Sequence, residues 1–307
     1  MDHFNSRFFN AISITGDGSK VKKTSQKNDI LRSEILWYVQ LPHSLRTYIP
    51  KLHNYSLSPK DMFIEMERVH SPTLSQLYVQ EADISWANVA KSLSHLLFDF
   101  KKHHRLLSKS QIYTMYWKKT LDRLTEYLAQ PRNFERFYKV NGKAYPNPLL
   151  LLIEHRNYLL DILDTTNGTI IHGDLCFSNI FFEEKSTSIK VIDPRGHFGR
   201  LTTFGDPRYD VAKLRHSLTG YDFLIHDRFD VKNSSTSIDY LIQKHKNQGQ
   251  INRELSDVLP LEDPAVRLIE SLLFLSMLPL HQDFPRRQWV MYGLGTQLLY
   301  KFLNDYH

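Results

Sequence analysis

The chain has 307 residues, of which 41% are hydrophobic and 23% are charged, with a formal net charge of +6. This balance is typical of a soluble globular protein with a large core, and no apolar run approaches the roughly 20 residues needed to cross a bilayer. The single cysteine, Cys176, excludes an intrachain disulfide and a cysteine-rich zinc site. The segment Met1–Arg7 lacks the apolar core of a secretion signal, so we expect a cytoplasmic protein without membrane insertion.

The positive charge is unevenly distributed along the chain. Much of it lies in residues 101–119, whereas residues 201–307 carry nearly equal numbers of basic and acidic side chains. A basic patch can bind nucleic acid, but a basic helix face is more often solvated surface. We therefore predict no nucleic-acid partner.

Residues 8–24 have the pattern of two strands, Phe8–Thr15 and Lys20–Thr24, joined by a tight turn at residues 16–19. Gly16 and Gly18 in that turn allow positive φ and leave backbone N–H groups free to face a phosphate. The same glycines also suit an ordinary hairpin turn. Because a full Gly-x-Gly-x-x-Gly is missing, the turn by itself leaves both interpretations open.

A helix is predicted next, over about Asn28 to Gln40, because its apolar residues recur at helical spacing. Glu34 is the only carboxylate well inside this helix. Two further strands are predicted at Pro50–Tyr55 and Met62–Glu67, and Ser71 or Thr73 is a suitable cap for the helix that follows.

From residue 73 to about 165 the apolar spacing is helical almost throughout. Helices are predicted at Ile84–Leu107, Gln111–Ala129 and Leu149–Leu163. The segment Asn141–Pro148, with one glycine and two prolines, should interrupt them.

Three polar residues recur at fixed offsets in the strand-like stretch 170–196: Asp174, then Asn179, then Asp193 after a hairpin-length gap. Mg²⁺ takes hard oxygen ligands and keeps several waters, so a protein typically supplies one or two oxygens and nucleotide phosphates supply others. Asn179 and Asp193 suit that role. Asp174, on the same loop, could then orient an acceptor hydroxyl and take its proton.

His172-Gly173-Asp174 with Asn179 resembles the catalytic loop of the aminoglycoside phosphotransferase and choline kinase families, which are relatives of the protein kinases. The resemblance implies an α+β, two-lobed protein-kinase-like fold, with a small β-rich lobe over residues 1–68 and a larger, mostly helical lobe over residues 69–307. It makes His172 and Asp174 catalytic-loop residues, with Asp174 as the base. It also assigns Mg²⁺ to Asn179 and Asp193.

The same resemblance implies a nucleotide site in the small lobe. Gly16 and Gly18 would cover the phosphates, and a strand lysine would contact them and pair with Glu34. Lys22 and Lys23 both remain candidates, although Lys23 shares the face of Val21, which should point into the core. A solvated surface position for Glu34 is the alternative.

The adenine base would lie beside the strand end Glu65, Met66 and Glu67, where the family places its hinge. The donor is ATP or GTP; the sequence does not distinguish them.

The stretch from Gly205 to Leu214 resembles the family's Gly-Asp-Pro-x-Tyr-Asp-x-Ala-x-Leu. In the family the last aspartate, here Asp210, begins a helix and braces the catalytic loop through backbone hydrogen bonds. The alternative is that Asp210 only caps this helix, since a carboxylate in a first turn is favoured by the helix dipole.

Arg195 lies two residues beyond Asp193, which should place it near the transferring phosphate or an anionic group on the acceptor. The Ile-Asp-Pro-Arg-Gly sequence around it departs from the Ile-Asp-x-x-Asp of antibiotic kinases. It looks more like a bacterial subset associated with capsule and surface-polysaccharide synthesis.

The expected acceptor is a small-molecule hydroxyl, most simply that of a sugar or sugar derivative. Choline or an aminoglycoside, a protein acceptor, or nucleotide binding without catalysis are the alternatives. Five aromatic residues could stack on a sugar or enclose an ammonium, although aromatics at helical spacing are more often core: Tyr209, Tyr221, Phe223, Trp289 and Tyr292.

Overall fold

A computed structural model of the chain describes residues 10–130 and 137–306. The segment Met1–Arg7 and the predicted start of the first strand at Phe8 lie outside the described residues. The described residues have the predicted α+β organisation, with a β-sheet in the N-terminal part and mainly helices thereafter.

The N-terminal part is one antiparallel sheet with a helix against it. Its strands are β1 (Asn10–Thr15), β2 (Lys20–Ser25), β3 (Leu52–Ser56) and β4 (Phe63–Glu67), in the order β1-β2-β4-β3. Helix α1 (Asn28–Gln40) follows β2 and buries Leu31, Ile35 and Trp37. The predicted helix is confirmed residue for residue, and each predicted strand is confirmed within two residues.

The helices of the larger part begin after Thr73, which caps the first of them with a capping box to Gln76. They are α2 (Leu74–Val79), α3 (Trp86–Lys101), α4 (Lys109–Ile112), α5 (Lys119–Leu128), α6 (Pro148–Glu154), α7 (Arg156–Leu163), α8 (Pro207–His216), α9 (Asp222–Ile225), α10 (Gln248–Ser256), α11 (Pro264–Ser276) and α12 (Pro285–Tyr306). Short π-helical turns, Tyr113–Lys118 and Ser217–Tyr221, continue α4 and α8, and 3-10 turns lie at His43–Tyr48, Phe177–Asn179 and Leu278–His281.

Helix α11 is the centre of the helical part. Every residue from Leu268 to Ser276 is buried, and the helix packs against α5, α8 and α12. A helix that is covered on all sides carries apolar residues around most of its circumference, as this one does. Within the described residues, none of the helices is both long and apolar enough to cross a membrane.

The remaining strands are β5 (His104–Leu106), β6 (Phe137–Val140), β7 (Lys143–Pro146), β8 (Asn167–Ile170), β9 (Ile180–Glu183), β10 (Ser188–Val191), β11 (Phe204–Gly205), β12 (Phe229–Asn233) and β13 (Ser237–Ile242). They form a β9–β10 hairpin, a three-stranded sheet in the order β11-β8-β5, and a four-stranded sheet in the order β12-β13-β6-β7.

One prediction for the helical part is wrong in detail. The helix predicted over Ile84–Leu107 ends at Lys101, because residues 104–106 pair with β8 instead. The predicted interruption at Asn141–Pro148 is confirmed, but it contains strand β7, which was not predicted, and the neighbouring β6 pairs in parallel with the distant β13. Strands of three or four residues show too little alternation to be recognised, and their pairing partners lie far away in the sequence.

Candidate functional site

The loop between β8 and β9 holds Asp174 in a defined position. The N–H of Asp174 donates to His172 Nδ1 at 3.2 Å, and Asn179 Nδ2 donates to the carbonyl oxygen of Asp174 at 2.8 Å. Gly173 has φ of +79°, and a Cβ at that position would lie 2.8 Å from the Cβ of Arg195. A side chain is therefore disfavoured there both by the backbone conformation and by the close approach of Arg195.

Asp210, on helix α8, binds the backbone of this loop. Its carboxylate accepts the backbone N–H of His172 at 2.7 Å and that of Gly173 at 2.8 Å. The N-cap of α8 is Asp206, whose side chain accepts the N–H of Arg208. The bracing interpretation of Asp210 is thus confirmed, and the interpretation as a simple cap is wrong. Complete burial raises the pKa of Asp210 to about 7, against the lowering effect of its two hydrogen bonds.

His172 lies entirely inside the protein, where burial lowers its pKa to about 4. Its imidazole is therefore neutral near pH 7. The edge of Trp37, from α1, lies against it, and Trp37 Nε1 donates to the carbonyl oxygen of Ile171 at 2.7 Å. These contacts connect the loop between β8 and β9 to the helix of the N-terminal part.

Lys213 forms an ion pair with Asp174 that the sequence analysis did not identify. Its Nζ lies 2.8 Å from Asp174 Oδ1, and the lysine is 5% exposed. A signal was present in the sequence, because Lys213 follows Asp210 by one helical turn. A helix that braces the loop through Asp210 directs position 213 to the same loop.

Lys23 connects three elements of the site. Its Nζ donates to Glu34 Oε2 at 2.7 Å and to Asp193 Oδ1 at 2.9 Å. Lys22 instead lies over the ring of Phe63. Glu34 is 4% exposed, so the alternative of a solvated surface position is wrong.

The Lys23–Glu34 pair is deeply buried, and this controls its protonation. Burial raises the pKa of Glu34 to about 7, while the positive charge of Lys23 acts in the opposite direction. The carboxylates of Asp193 and Glu34 raise the pKa of Lys23 in spite of its burial.

Asp193 has φ of +59° and a side chain that is 43% exposed. The left-handed backbone follows directly after β10 and turns the carboxylate towards Lys23. Only Oδ1 of Asp193 is bound by a described residue. Asn179 Nδ2 donates to Asp174, so the side-chain oxygen of Asn179 is a second hard oxygen ligand that could bind a metal ion beside the Asp193 carboxylate.

This donor set suits Mg²⁺ when a nucleotide supplies further oxygens. Among residues 10–130 and 137–306 no group of three or more His, Cys, Asp or Glu side chains could hold a metal ion. Asn179 and Asp193 carry oxygens of the kind that Mg²⁺ takes, so these two residues would hold the ion only together with a bound nucleotide.

The turn at residues 16–19, which is predicted to contact the phosphates, has open space around its two glycines. Gly16 and Gly18 have φ of +65° and +92°, and nothing lies within 4 Å of a Cβ built on either. Asp17 Oδ1 accepts the N–H of Ser19 and closes the turn.

Glu65, Met66 and Glu67 lie within the sheet. They pair with residues of β2 and β3, and the N–H groups of Glu67 and Arg68 donate to Lys51 and Ser19. Their backbone is thus already engaged, and no described residue hydrogen-bonds to the backbone of the following residues, 69 and 70.

Arg195 contacts both the loop that carries Asp174 and helix α8. Its N–H donates to the carbonyl oxygen of His172, and its Nη1 donates to the hydroxyl of Tyr209 at 2.6 Å. Lys119 Nζ approaches the same hydroxyl at 3.5 Å. Lys119 and Tyr209 were not predicted to belong to a cationic site.

Of the five aromatic residues considered for the acceptor, three are buried core residues: Tyr209, Phe223 and Tyr292. Tyr221 and Trp289 are half-buried and pack against the core. Cys176 is buried, and burial raises the pKa of its thiol to about 12, so it is not a thiolate near neutral pH.

No protein-family model matches the chain, and no curated protein matches its sequence. Solved structures do match its fold. A thermostable mutant of aminoglycoside phosphotransferase APH(4)-Ia, in a ternary complex with AMP-PNP and hygromycin B, gives a TM-score of 0.57 at 10% identity, covering 99% of this chain and 96% of that one.

Two further kinases share the fold. The streptomycin–ATP complex of APH(2″)-IIa gives a TM-score of 0.55 at 13% identity, covering 97% of this chain and 90% of that one. Choline kinase LicA from Streptococcus pneumoniae gives 0.51 at 11% identity, covering 95% and 90%. The chain therefore has, over nearly its whole length, the two-lobed kinase-like fold of these enzymes.

Proposed function

We propose that this protein is a phosphotransferase that moves the γ-phosphate of a nucleotide to the hydroxyl of a small molecule, a sugar or sugar derivative. The observation that carries the proposal is the contact of Lys23 with both Glu34 and Asp193. Burial of this lysine between a helix carboxylate and a partly exposed aspartate costs desolvation energy. Contact with the phosphates of a nucleotide would explain why the lysine is buried there.

In this proposal Asp174 orients the acceptor hydroxyl and receives its proton. The acceptor oxygen forms a bond to the γ-phosphorus as the bond from that phosphorus to the bridging oxygen breaks, and the nucleoside diphosphate leaves. Lys213 holds the carboxylate of Asp174 in place, and His172 and Asp210 position the loop without touching substrate. Most of the rate enhancement comes from positioning and charge neutralisation.

The nucleotide binds between the two parts of the chain in this proposal. Lys23 contacts its phosphates, Gly16 and Gly18 cover them, and Asn179 and Asp193 hold Mg²⁺. The metal, when bound, neutralises phosphate charge that would repel the acceptor oxygen. Since the backbone from Glu65 to Glu67 is engaged in the sheet, we assign the adenine contact to the backbone of residues 69 and 70.

The acceptor is the less constrained part of the proposal. The solved structures with this fold include complexes with aminoglycosides and a choline kinase, so these acceptors belong in a screen beside sugars. The Pro194-Arg195-Gly196 sequence supports a role in surface-polysaccharide synthesis.

Thermal unfolding with Mg²⁺ and ATP or GTP tests the nucleotide site. A ligand that binds only the folded state at a hundredfold excess over its dissociation constant adds about 2.7 kcal/mol to the free energy of unfolding. We expect a raised midpoint in the native chain and in the surface control Asp239→Ala, and a much smaller rise in Asp193→Ala. No rise with either nucleotide would contradict the proposal.

Catalysis is tested with Asp174→Asn, an isosteric change that removes the base. We expect this variant to keep the nucleotide-dependent rise and to lose acceptor-dependent release of the nucleoside diphosphate by roughly a hundredfold or more. Full activity of Asp174→Asn would contradict the assignment of Asp174 as the base.

A further inference from the structure

Three cationic side chains surround the hydroxyl of Tyr209 and the carboxylate of Asp174. Arg195 Nη1 lies 2.6 Å and Lys119 Nζ 3.5 Å from the Tyr209 oxygen, and Lys213 Nζ lies 2.8 Å from Asp174 Oδ1. We call Lys119, Arg195 and Lys213 the cationic cluster. They come from α5, from the segment after β10 and from α8, so the fold brings them together from distant parts of the sequence.

The cluster has more positive than negative charge. Asp174 pairs with Lys213, whereas Lys119 and Arg195 have no carboxylate within ion-pair distance in the described parts of the chain. Their shared partner, the hydroxyl of Tyr209, is neutral. Of the other buried carboxylates nearby, Asp206 pairs with Arg208, Asp210 accepts backbone N–H groups, and Asp222 is acted on by Lys213 and not by Lys119 or Arg195.

Both unmatched cations are half-buried, which makes the missing counter-charge costly. Burial, together with the charges of Arg195, Arg123 and Lys213, lowers the pKa of Lys119 well below its ordinary value. Partly buried cations that share one neutral acceptor form a site that a bound anion would stabilise.

The cluster is separate from the nucleotide side of the site. Lys213 pairs with Asp174 and the backbone of Arg195 bonds to the same loop at His172, whereas Lys23 contacts Glu34 and Asp193. The cationic cluster therefore adjoins Asp174, which we propose receives the acceptor's proton, through contacts that differ from those of Lys23.

We propose that the acceptor is anionic: a sugar with a phosphate or carboxylate substituent, bound by Lys119 and Arg195 with one of its hydroxyls at Asp174. The inference rests on the proposed function and narrows its substrate class. An aminoglycoside or choline is a cation and would be repelled by this surface, so the polarity of the site is opposite to what those acceptors require.

The test measures acceptor binding by calorimetry with the nucleotide side filled by saturating Mg²⁺ and AMP-PNP. The probes are glucose 6-phosphate, glucuronate, neutral glucose and kanamycin. We expect at least one anionic sugar to bind and glucose to bind at least roughly tenfold more weakly, because the charge-assisted contacts are lost. Comparison of glucose 6-phosphate with glucuronate identifies which anion the site prefers.

Two variants and a matched control locate the binding to the cluster. Lys119→Met and Arg195→Gln should each weaken binding of the anionic sugar at least roughly tenfold. Lys118→Met changes the preceding residue, an exposed lysine paired with Asp122, and should leave binding unchanged. Thermal midpoints establish that each variant is folded, and the two variants test the cluster independently.

Several results would overturn the inference. These are preferential binding of glucose or kanamycin, no binding of either anionic sugar, and variants that weaken AMP-PNP binding but not sugar binding, which would assign the cluster to the γ-phosphate. Failure of the proposed function itself is distinguishable, because it appears as loss of the Asp193-dependent stabilisation by nucleotide.

Discussion

Lys213 and Asp174 form an ion pair at 2.8 Å in which the lysine is almost fully buried and the carboxylate remains partly exposed. The helix that carries Lys213 also carries Asp210, which binds the backbone of the same loop. One helix thus controls both the position of the loop backbone and the orientation of its carboxylate.

We predict that Lys213→Met lowers turnover roughly tenfold to a hundredfold. Without the lysine, the carboxylate of Asp174 can rotate away from the acceptor, and small misplacements of a reacting group are costly. The nucleotide dissociation constant should change little, since Lys213 pairs with Asp174, whereas Lys23 contacts Glu34 and Asp193 among the residues that the structure describes. Turnover and nucleotide affinity, measured separately, check this.

The matched control for this prediction is Lys232→Met, an exposed lysine on β12. It should leave turnover unchanged. If Lys213→Met weakened nucleotide binding as strongly as turnover, a role in positioning Asp174 would be excluded.

The buried Lys23–Glu34 pair leads to a prediction about stability and pH. Lys23→Met leaves Glu34 buried without its partner, and breaking a buried pair in this way costs about 3 kcal/mol or more. The double variant Lys23→Met/Glu34→Gln removes both charges and should recover part of that loss. Asp193 is less affected, because its carboxylate is 43% exposed and can be hydrated.

The destabilisation by Lys23→Met should be larger at pH 8 than at pH 6. Burial raises the folded-state pKa of Glu34 to about 7 even with Lys23 present, and loss of the lysine charge raises it further. A carboxyl with a raised folded-state pKa holds its proton more tightly when folded, so stability falls as pH rises towards that value. Urea denaturation at the two pH values measures this, and an equal loss at both would contradict it.

The sequence indicates the elements around the candidate site better than it indicates the details of the larger part. The loop with Asp174, the β9–β10 hairpin and Asp193 lie close together in the sequence, so a local pattern is enough to predict that they are neighbours. The pairing of β6 with β13 and the approach of Lys119 to Tyr209 join segments about 90 residues apart or more and leave no local pattern.

The choice between Lys22 and Lys23 was open for a different reason. Adjacent residues of a strand point to opposite faces of the sheet, so the pairing register of β2 decides which of the two lysines points into the core. Strand β2 pairs Lys23 with Ile64 of β4, and both residues are buried. Alternation from Val21 indicated the correct lysine but could not exclude a shift of one residue.

Asp210→Asn should impair both stability and turnover. The carboxylate accepts two backbone N–H groups, whereas an amide offers one oxygen and points its NH₂ at the other donor. A buried N–H left without an acceptor costs about 1–3 kcal/mol, and a displaced loop moves Asp174. Turnover should fall roughly tenfold or more, because the base then lies off its reacting geometry.

Asp206→Asn is the comparison for this change, because Asp206 caps the same helix four residues before Asp210. Asparagine caps helices about as well as aspartate, so this variant should mainly weaken the contacts of the carboxylate with Arg208 and with the hydroxyl of Tyr116. Its stability should fall, but its turnover should fall less than that of Asp210→Asn. Chemical denaturation and turnover measured on both variants separate general helix destabilisation from loop bracing, and equal losses of turnover would show that Asp210 acts only through the stability of α8.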